Sequence, residues 1–137
     1  MPQISEVMVG PVITIDQDEP ALNAAEMMRD NDTGDVVVTN DGRLVGILTD
    51  RDITVRVVAE GRDPETAVRE ICSGDLVTVS PDDDLKRAAD LMSENAIRRL
   101  PVCEGSQVVG FISLGDVALH SDAEATLTDI SSAPSNN

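Results

Sequence analysis

The sequence predicts an α/β (α+β) chain made of two tandem repeats, each running strand, helix, strand, strand, helix, packed about a pseudo-two-fold axis. The first observation behind this is the repeat itself: residues 4–53 slide onto 68–117 without a gap, at an offset of 64 residues. Glu6 then falls on Glu70, Gly10 on Gly74, Thr14 on Thr78, Met28 on Met92, Gly46 on Gly110 and Asp52 on Asp116. The second is a hairpin signal in each copy, Asn40-Asp41-Gly42 in one and Glu104-Gly105-Ser106 in the other, flanked by apolar runs. The third is size: 137 residues suit one compact domain, whereas either half alone would be marginal, so the repeats are expected to share one core.

Taken in order, residues 1–60 form the first repeat, 61–67 a linker, 68–120 the second repeat and 121–137 a partly disordered tail. Ile4 to Met8 is expected as a short apolar-faced turn, and Val12 to Ile15 as a brief buried strand. Asp16, with Glu19 three residues on, has the pattern of a capping box opening a helix whose apolar stripe is Leu22, Ala25, Met27 and Met28. Ser80 is the matching cap in the second copy, with Pro81 at the first helical position and Leu85, Ala88, Ala89 and Met92 behind it. Val36 to Val38 and Leu44 to Leu48 are strands, repeated at Leu100 to Cys103 and Val108 to Ile112. Helices are expected at Asp50 to Glu60 and Leu114 to His120, a further helix through Val68 and Ile71, and one or two turns around Ala125, Leu127 and Ile130.

Composition narrows the function. Phe111 is the only aromatic residue, so the stacking platform used to hold single-stranded nucleic acid is missing. A net charge of −16 opposes DNA and anionic membranes alike. There is no apolar run long enough to span a bilayer and no signal peptide at the start, which points to a cytoplasmic protein. In such a compartment Cys72 and Cys103 stay thiols and serve as small apolar fillers. Asp30 to Asp35 fits a helix exit better than a calcium loop, Asp82-Asp83-Asp84 complements a helix N-terminus, and His120 has no catalytic partner at a useful spacing. We therefore expect no enzyme, no metal and no cofactor.

The chemistry that remains lies in Gly46-Ile-Leu-Thr-Asp-Arg-Asp52 and its copy Gly110-Phe-Ile-Ser-Leu-Gly-Asp116. A hydroxyl residue (Thr49, Ser113) at the end of a strand can donate to a phosphate oxygen, and an aspartate in the following turn can accept from vicinal ribose hydroxyls. Free backbone N–H groups at such a corner favour an anion, and the glycine would admit a flat group close to the strand. The alternative is that Thr49 and Ser113 simply cap the helices, with Asp52 and Asp116 closing a box that needs no ligand. Recurrence at one spacing weighs against that reading, because caps usually vary freely.

Both copies resemble cystathionine β-synthase (CBS) domains, and the pair resembles a stand-alone Bateman module, over residues 4 to about 120. The family motif is matched by Gly46, Ile47, Thr49 and Asp52 and by Gly110, Phe111, Ser113 and Asp116. The resemblance implies a regulatory module that binds an adenosine nucleotide (AMP, ADP or ATP) in clefts between the repeats, with aspartate on ribose and hydroxyl on phosphate. It places adenine near Thr14 and Val36-Val37, and near Thr78 and Leu100-Pro101. It also implies a homodimer. A vestigial assembly protein, or a binder of another adenosyl compound such as S-adenosylmethionine, are the alternatives. Where the second copy has Arg98-Arg99 the first has Gly34-Asp35, so the two sites are expected to differ electrically, and Arg51 can serve phosphates or pair with Asp50 or Asp52.

Overall fold

The structure is a computed structural model that describes residues 2–10 and 12–120. Strand β1 (Thr14–Asp16) runs parallel to β2 (Asp35–Asn40), and β2 pairs antiparallel with β3 (Arg43–Thr49). A second antiparallel pair is formed by β4 (Arg99–Glu104) and β5 (Gln107–Ser113). Helix α1 (Ala21–Asn31) lies between β1 and β2, and α3 (Leu85–Asn95) precedes β4; α2 (Asp50–Ile53) and α4 (Leu114–His120) follow the two hairpins. The expected turns around Ala125, Leu127 and Ile130 lie outside the described residues.

The chain divides into two compact units that do not follow the order of the repeats. One is Val12–Leu76; the other joins Met1–Pro11 to Val77–Asn137. Each repeat therefore lends its leading segment to the other repeat's unit. In the β4–β5 unit Ile4 donates its N–H to Asp83 O (2.8 Å), Leu85 donates to Pro2 O (3.1 Å), and Val9 and Phe111 exchange two backbone bonds of 2.8 and 3.0 Å. In the β1–β3 unit Val68 donates to Glu19 O (2.9 Å), while Ile47 and Ser73 exchange two bonds of 3.0 Å. Each unit closes around a core of its own, where one shared core was expected. Ile4, Leu85, Met92, Leu100 and Ile112 anchor one, and Ile15, Met28, Leu48, Val68 and Ile71 the other.

The hairpins form as the sequence indicates. Asp41 and Gly42 both take positive φ (52° and 79°), which matches the twist of the strands they join, and Gly105 does the same at 65°. Each hairpin also carries a bulge the sequence did not announce. Val38 faces Gly46 while Thr39 faces Leu44, leaving Val45 as the extra residue; Val109 is extra in the other copy, where Val102 faces Gly110 and Cys103 faces Val108.

Around the first strand the expectations need correction. The strand is Thr14–Asp16 rather than 12–15, because it registers on Val37 to Thr39 and Gln17 continues the pairing with Thr39 O at 2.8 Å. In the second copy the equivalent strand shrinks to one parallel bridge, Val79 to Val102. Pro101 explains this. Val37 donates its N–H to Ile13 O (2.9 Å), and Pro101, 64 residues later, has no N–H with which to repeat that bond.

Helices start later than expected. Only half of the Asp16–Glu19 box forms: Asp16 N–H donates to Glu19 Oε2 at 3.2 Å, but Asp16 Oδ1 accepts from Asp18 N–H (2.9 Å) rather than from Glu19, and the segment is a turn; the helix starts at Ala21 after Pro20. A helix from Asp16 would place Pro20 in its interior, where the missing N–H and the ring both oppose it. In the other copy the cap is Asp84, which accepts from Arg87 N at 3.1 Å, and Ser80 to Asp83 is again a turn. In α1 Ala21, Ala24 and Met28 are buried and Leu22 is 44% exposed, against its expected core position. The helix expected at Asp50 to Glu60 is one α-turn followed by a π-turn, Thr54–Val58, in which Ala59 N bonds Thr54 O five residues back (2.9 Å). The one expected through Val68 and Ile71 is a single 3₁₀ turn, Val68–Glu70.

Candidate functional site

In the β1–β3 unit the motif builds a corner from β3 into α2. Thr49 N–H donates to Asp52 Oδ2 at 2.9 Å, and Asp52 N–H donates back to Thr49 Oγ1 at 3.1 Å. Asp52 is 13% exposed, and Arg56 lies 3.8 Å from its other oxygen, Oδ1. The expected choice for Arg51 was between a phosphate and an ion pair with Asp50 or Asp52. Arg56 takes the partnership with Asp52 instead, one helical turn on, and fixes itself with a second bond to Ile71 O (2.8 Å). The i,i+4 spacing from Asp52 is the signal that could have found it. Arg51 is exposed and its own N–H rests on Asp50 Oδ1 at 2.8 Å. Across the hairpin Asp35 stands opposite Thr49, and Asp50 N–H donates to Gly34 O at 2.9 Å.

The β4–β5 unit repeats the corner more faithfully than it repeats the first strand. Ser113 N–H and Ser113 Oγ–H both donate to Asp116 Oδ2 (2.8 and 2.9 Å), and Asp116 N–H donates to Ser113 Oγ at 3.2 Å. Leu114 N–H donates to Arg98 O at 2.9 Å, as Asp50 does to Gly34. Arg99 is the residue opposite Ser113, and its guanidinium lies 4.3 Å from the centroid of Phe111. Arg98 is exposed. His120, exposed at the end of α4, occupies the position that Arg56 holds in the other corner.

The residues expected near adenine are split by burial. Thr14 is exposed and registers opposite Val37, whereas Val36, Val37 and Leu100 are no more than 1% exposed and Pro101 is buried too. Thr78 is half-buried and sits beside the Val79 bridge. Those four buried side chains shape the strand ends without displaying themselves, so Thr14, Thr78 and the corner residues carry the accessible polar groups.

The motif glycines have a different task from the expected one of admitting a ligand. A Cβ on Gly46 would stand 2.5 Å from Ser73 O and 2.8 Å from Cys72 Sγ, and one on Gly110 would stand 3.0 Å from Met8 Sδ and 3.1 Å from Val9 O. The flat group each glycine admits is thus the protein's own leading segment, paired to the strand. Sequence reasoning missed this, although Gly10 and Gly74 mark the same segments in both copies. Cys72 and Cys103 are free and half-buried, and burial pushes both thiols up from the ordinary cysteine value, as suits packing residues.

Among the described residues no three His, Cys, Asp or Glu side chains gather where a metal ion could sit, and no helix is long and apolar enough to cross a membrane. The family profile described as CBS domain matches residues 4–59 and 68–122. CBS domain-containing protein YhcV of Bacillus subtilis is 37% identical over 135 residues, covering 96% of this chain and 96% of that protein. Hypoxic response protein 1 of Mycobacterium tuberculosis is 32% identical over 117 residues, covering 84% of this chain and 82% of its own. The crystal structure of Hypoxic Response Protein I superposes with a TM-score of 0.79 over 88% of this chain and 100% of that one, at 31% identity. A hexameric CBS-CP12 protein from bloom-forming cyanobacteria superposes with a TM-score of 0.73, at 32% identity and coverage of 89% and 69%. With both repeats matched and the motif corner built twice, the chain belongs to the CBS domain family as a tandem pair.

Proposed function

We propose that this pair is a cytosolic regulatory module that senses an adenosine nucleotide, with Asp52 and Asp116 on ribose and Thr49 and Ser113 toward phosphate. One observation carries the reading. In both corners the capping box occupies a single carboxylate oxygen, Oδ2, and leaves Oδ1 outside the box, with the Arg56 guanidinium 3.8 Å from Oδ1 at Asp52. The capping reading and the ligand reading therefore coexist: the box fixes the carboxylate, and the second oxygen accepts from vicinal hydroxyls. Occupancy would be transmitted by favouring one pose of the chain over another. The CBS pair of protein MJ0100, which shares this fold at 23% identity, has been crystallised with 5-methylthioadenosine and S-adenosyl-L-methionine, a property of that protein.

A second reading, an assembly protein with vestigial corners, draws on the helices beyond the motifs. Val55 and Leu119 hold equivalent positions and are 44% and 80% exposed, which favours a homodimer formed through these faces. Calorimetry of the full chain against AMP, ADP, ATP and S-adenosylmethionine separates the two. Sensing predicts binding by at least one of them well below millimolar concentration; no heat from any of them at millimolar concentration leaves the assembly reading alone.

A further inference from the structure

The two corners share one backbone and oppose each other in charge. In the β1–β3 unit the residue facing the motif hydroxyl is Asp35, and in the β4–β5 unit it is Arg99. One position earlier Gly34 answers to Arg98, and in the turn Asp50 answers to Leu114. These exchanges are linked sterically. A Cβ on Gly34 would meet Asp50 Oδ2 at 3.3 Å, so the carboxylate lies where a side chain at that position would leave the backbone. In the other copy leucine replaces this aspartate and arginine replaces the glycine. The first corner thus gathers three carboxylates (Asp35, Asp50, Asp52) against two guanidiniums (Arg51, Arg56). The second gathers two guanidiniums (Arg98, Arg99) against one carboxylate (Asp116), with His120 where Arg56 would be. The Arg99 guanidinium carbon stands 4.3 Å from the centre of the Phe111 ring, a cation–π contact.

Building on the adenosine reading above, we infer that the corners sort adenosyl ligands by charge. The Ser113–Asp116 corner takes the polyphosphorylated nucleotide, whose anionic tail meets Arg98 and Arg99. The Thr49–Asp52 corner takes, in place of the phosphate assigned to Thr49 above, an adenosyl compound with a cationic or neutral 5′ substituent, such as a sulfonium, which Asp35 and Asp50 attract where they would repel a triphosphate. Asp52 and Asp116 hold ribose in both, so the distinction rests on the group attached to the 5′ carbon. With a chain of net charge −16 around it, an anionic tail needs these local donors to bind at all.

The test uses the full chain, calorimetry, and ATP and S-adenosylmethionine as probes. Asp116→Ala and Arg98→Gln should each weaken ATP on the order of tenfold and leave S-adenosylmethionine within about twofold. Asp52→Ala and Asp35→Asn should do the reverse. Raising salt should weaken both probes, ATP because the arginines are screened and the sulfonium ligand because Asp35 and Asp50 are. If both probes bind but each is lost equally in Asp52→Ala and Asp116→Ala, charge sorting is wrong and the adenosine reading stands. If neither probe binds, both fall together.

Discussion

Ile4→Ala should destabilise the chain by about 2–5 kcal/mol, the usual cost of a large-to-small change at a fully buried site, and the damage should appear far along the sequence. Ile4 is 0% exposed and packs with Leu85, Met92, Leu100 and Ile112, all from the second repeat. Its backbone is tied to the same unit through Asp83, and the chain just before it through Leu85. The counterpart of Ile4 is Val68, also 0% exposed, which serves the core of Ile15, Met28 and Leu48. Denaturant unfolding gives the size of the loss, and amide hydrogen exchange gives its place. Protection in Ile4→Ala should fall first at residues 79–112. A loss confined to 14–58 would show that the leading segment belongs to its own repeat.

Gly46→Ala is the second large effect, expected at about 1–3 kcal/mol, the range for forcing extra volume into a packed site. The added methyl would stand 2.5 Å from a backbone oxygen, Ser73 O, which can yield only if the Ile47–Ser73 pairing opens. Gly110→Ala makes an informative comparison. Its nearest neighbour is the sulfur of Met8 at 3.0 Å, the end of a flexible side chain, and Val9 O at 3.1 Å is less severe. Thermal unfolding should therefore rank Gly46→Ala well below Gly110→Ala in melting temperature. Equal shifts would mean that the segments pack against the strands more loosely than these distances require.

What could be read from sequence was whatever one residue type or one spacing decides alone. The turn at Asp41-Gly42 and the buried face of Leu85, Ala88, Ala89 and Met92 are of that kind, as is the pairing of Thr49 with Asp52. Features fixed by two forces in competition were misread. Asp16 and Glu19 form one bond of their box, yet Pro20 denies it a helix, so the helix starts at Ala21. Pro101 removes one ladder bond and with it most of a strand, an effect visible only once its counterpart, the Ile13–Val37 bond, is known. Gly46 and Gly110 pointed to a close approach without naming what approaches, because Ser73 and Val9 come from distant parts of the chain. The partnership of Arg56 with Asp52 depends on a helical turn beyond the motif, whereas Arg51, inside the motif, was the cation the spacing brought forward.

The central claim is that Asp52 and Asp116 hold the ribose of an adenosine ligand with the oxygen their capping boxes leave over. The double variant Asp52→Ala, Asp116→Ala tests it in one titration with AMP and ATP, monitored by calorimetry below the melting temperature, with circular dichroism confirming the fold. Losing charge-assisted bonds to ribose costs about 1–3 kcal/mol at each occupied corner, and losing the cap costs about 1 kcal/mol of stability. The account predicts that nucleotide binding at each occupied corner falls by about fivefold to 150-fold while the chain stays folded. Wild-type affinity in the folded double variant would contradict it.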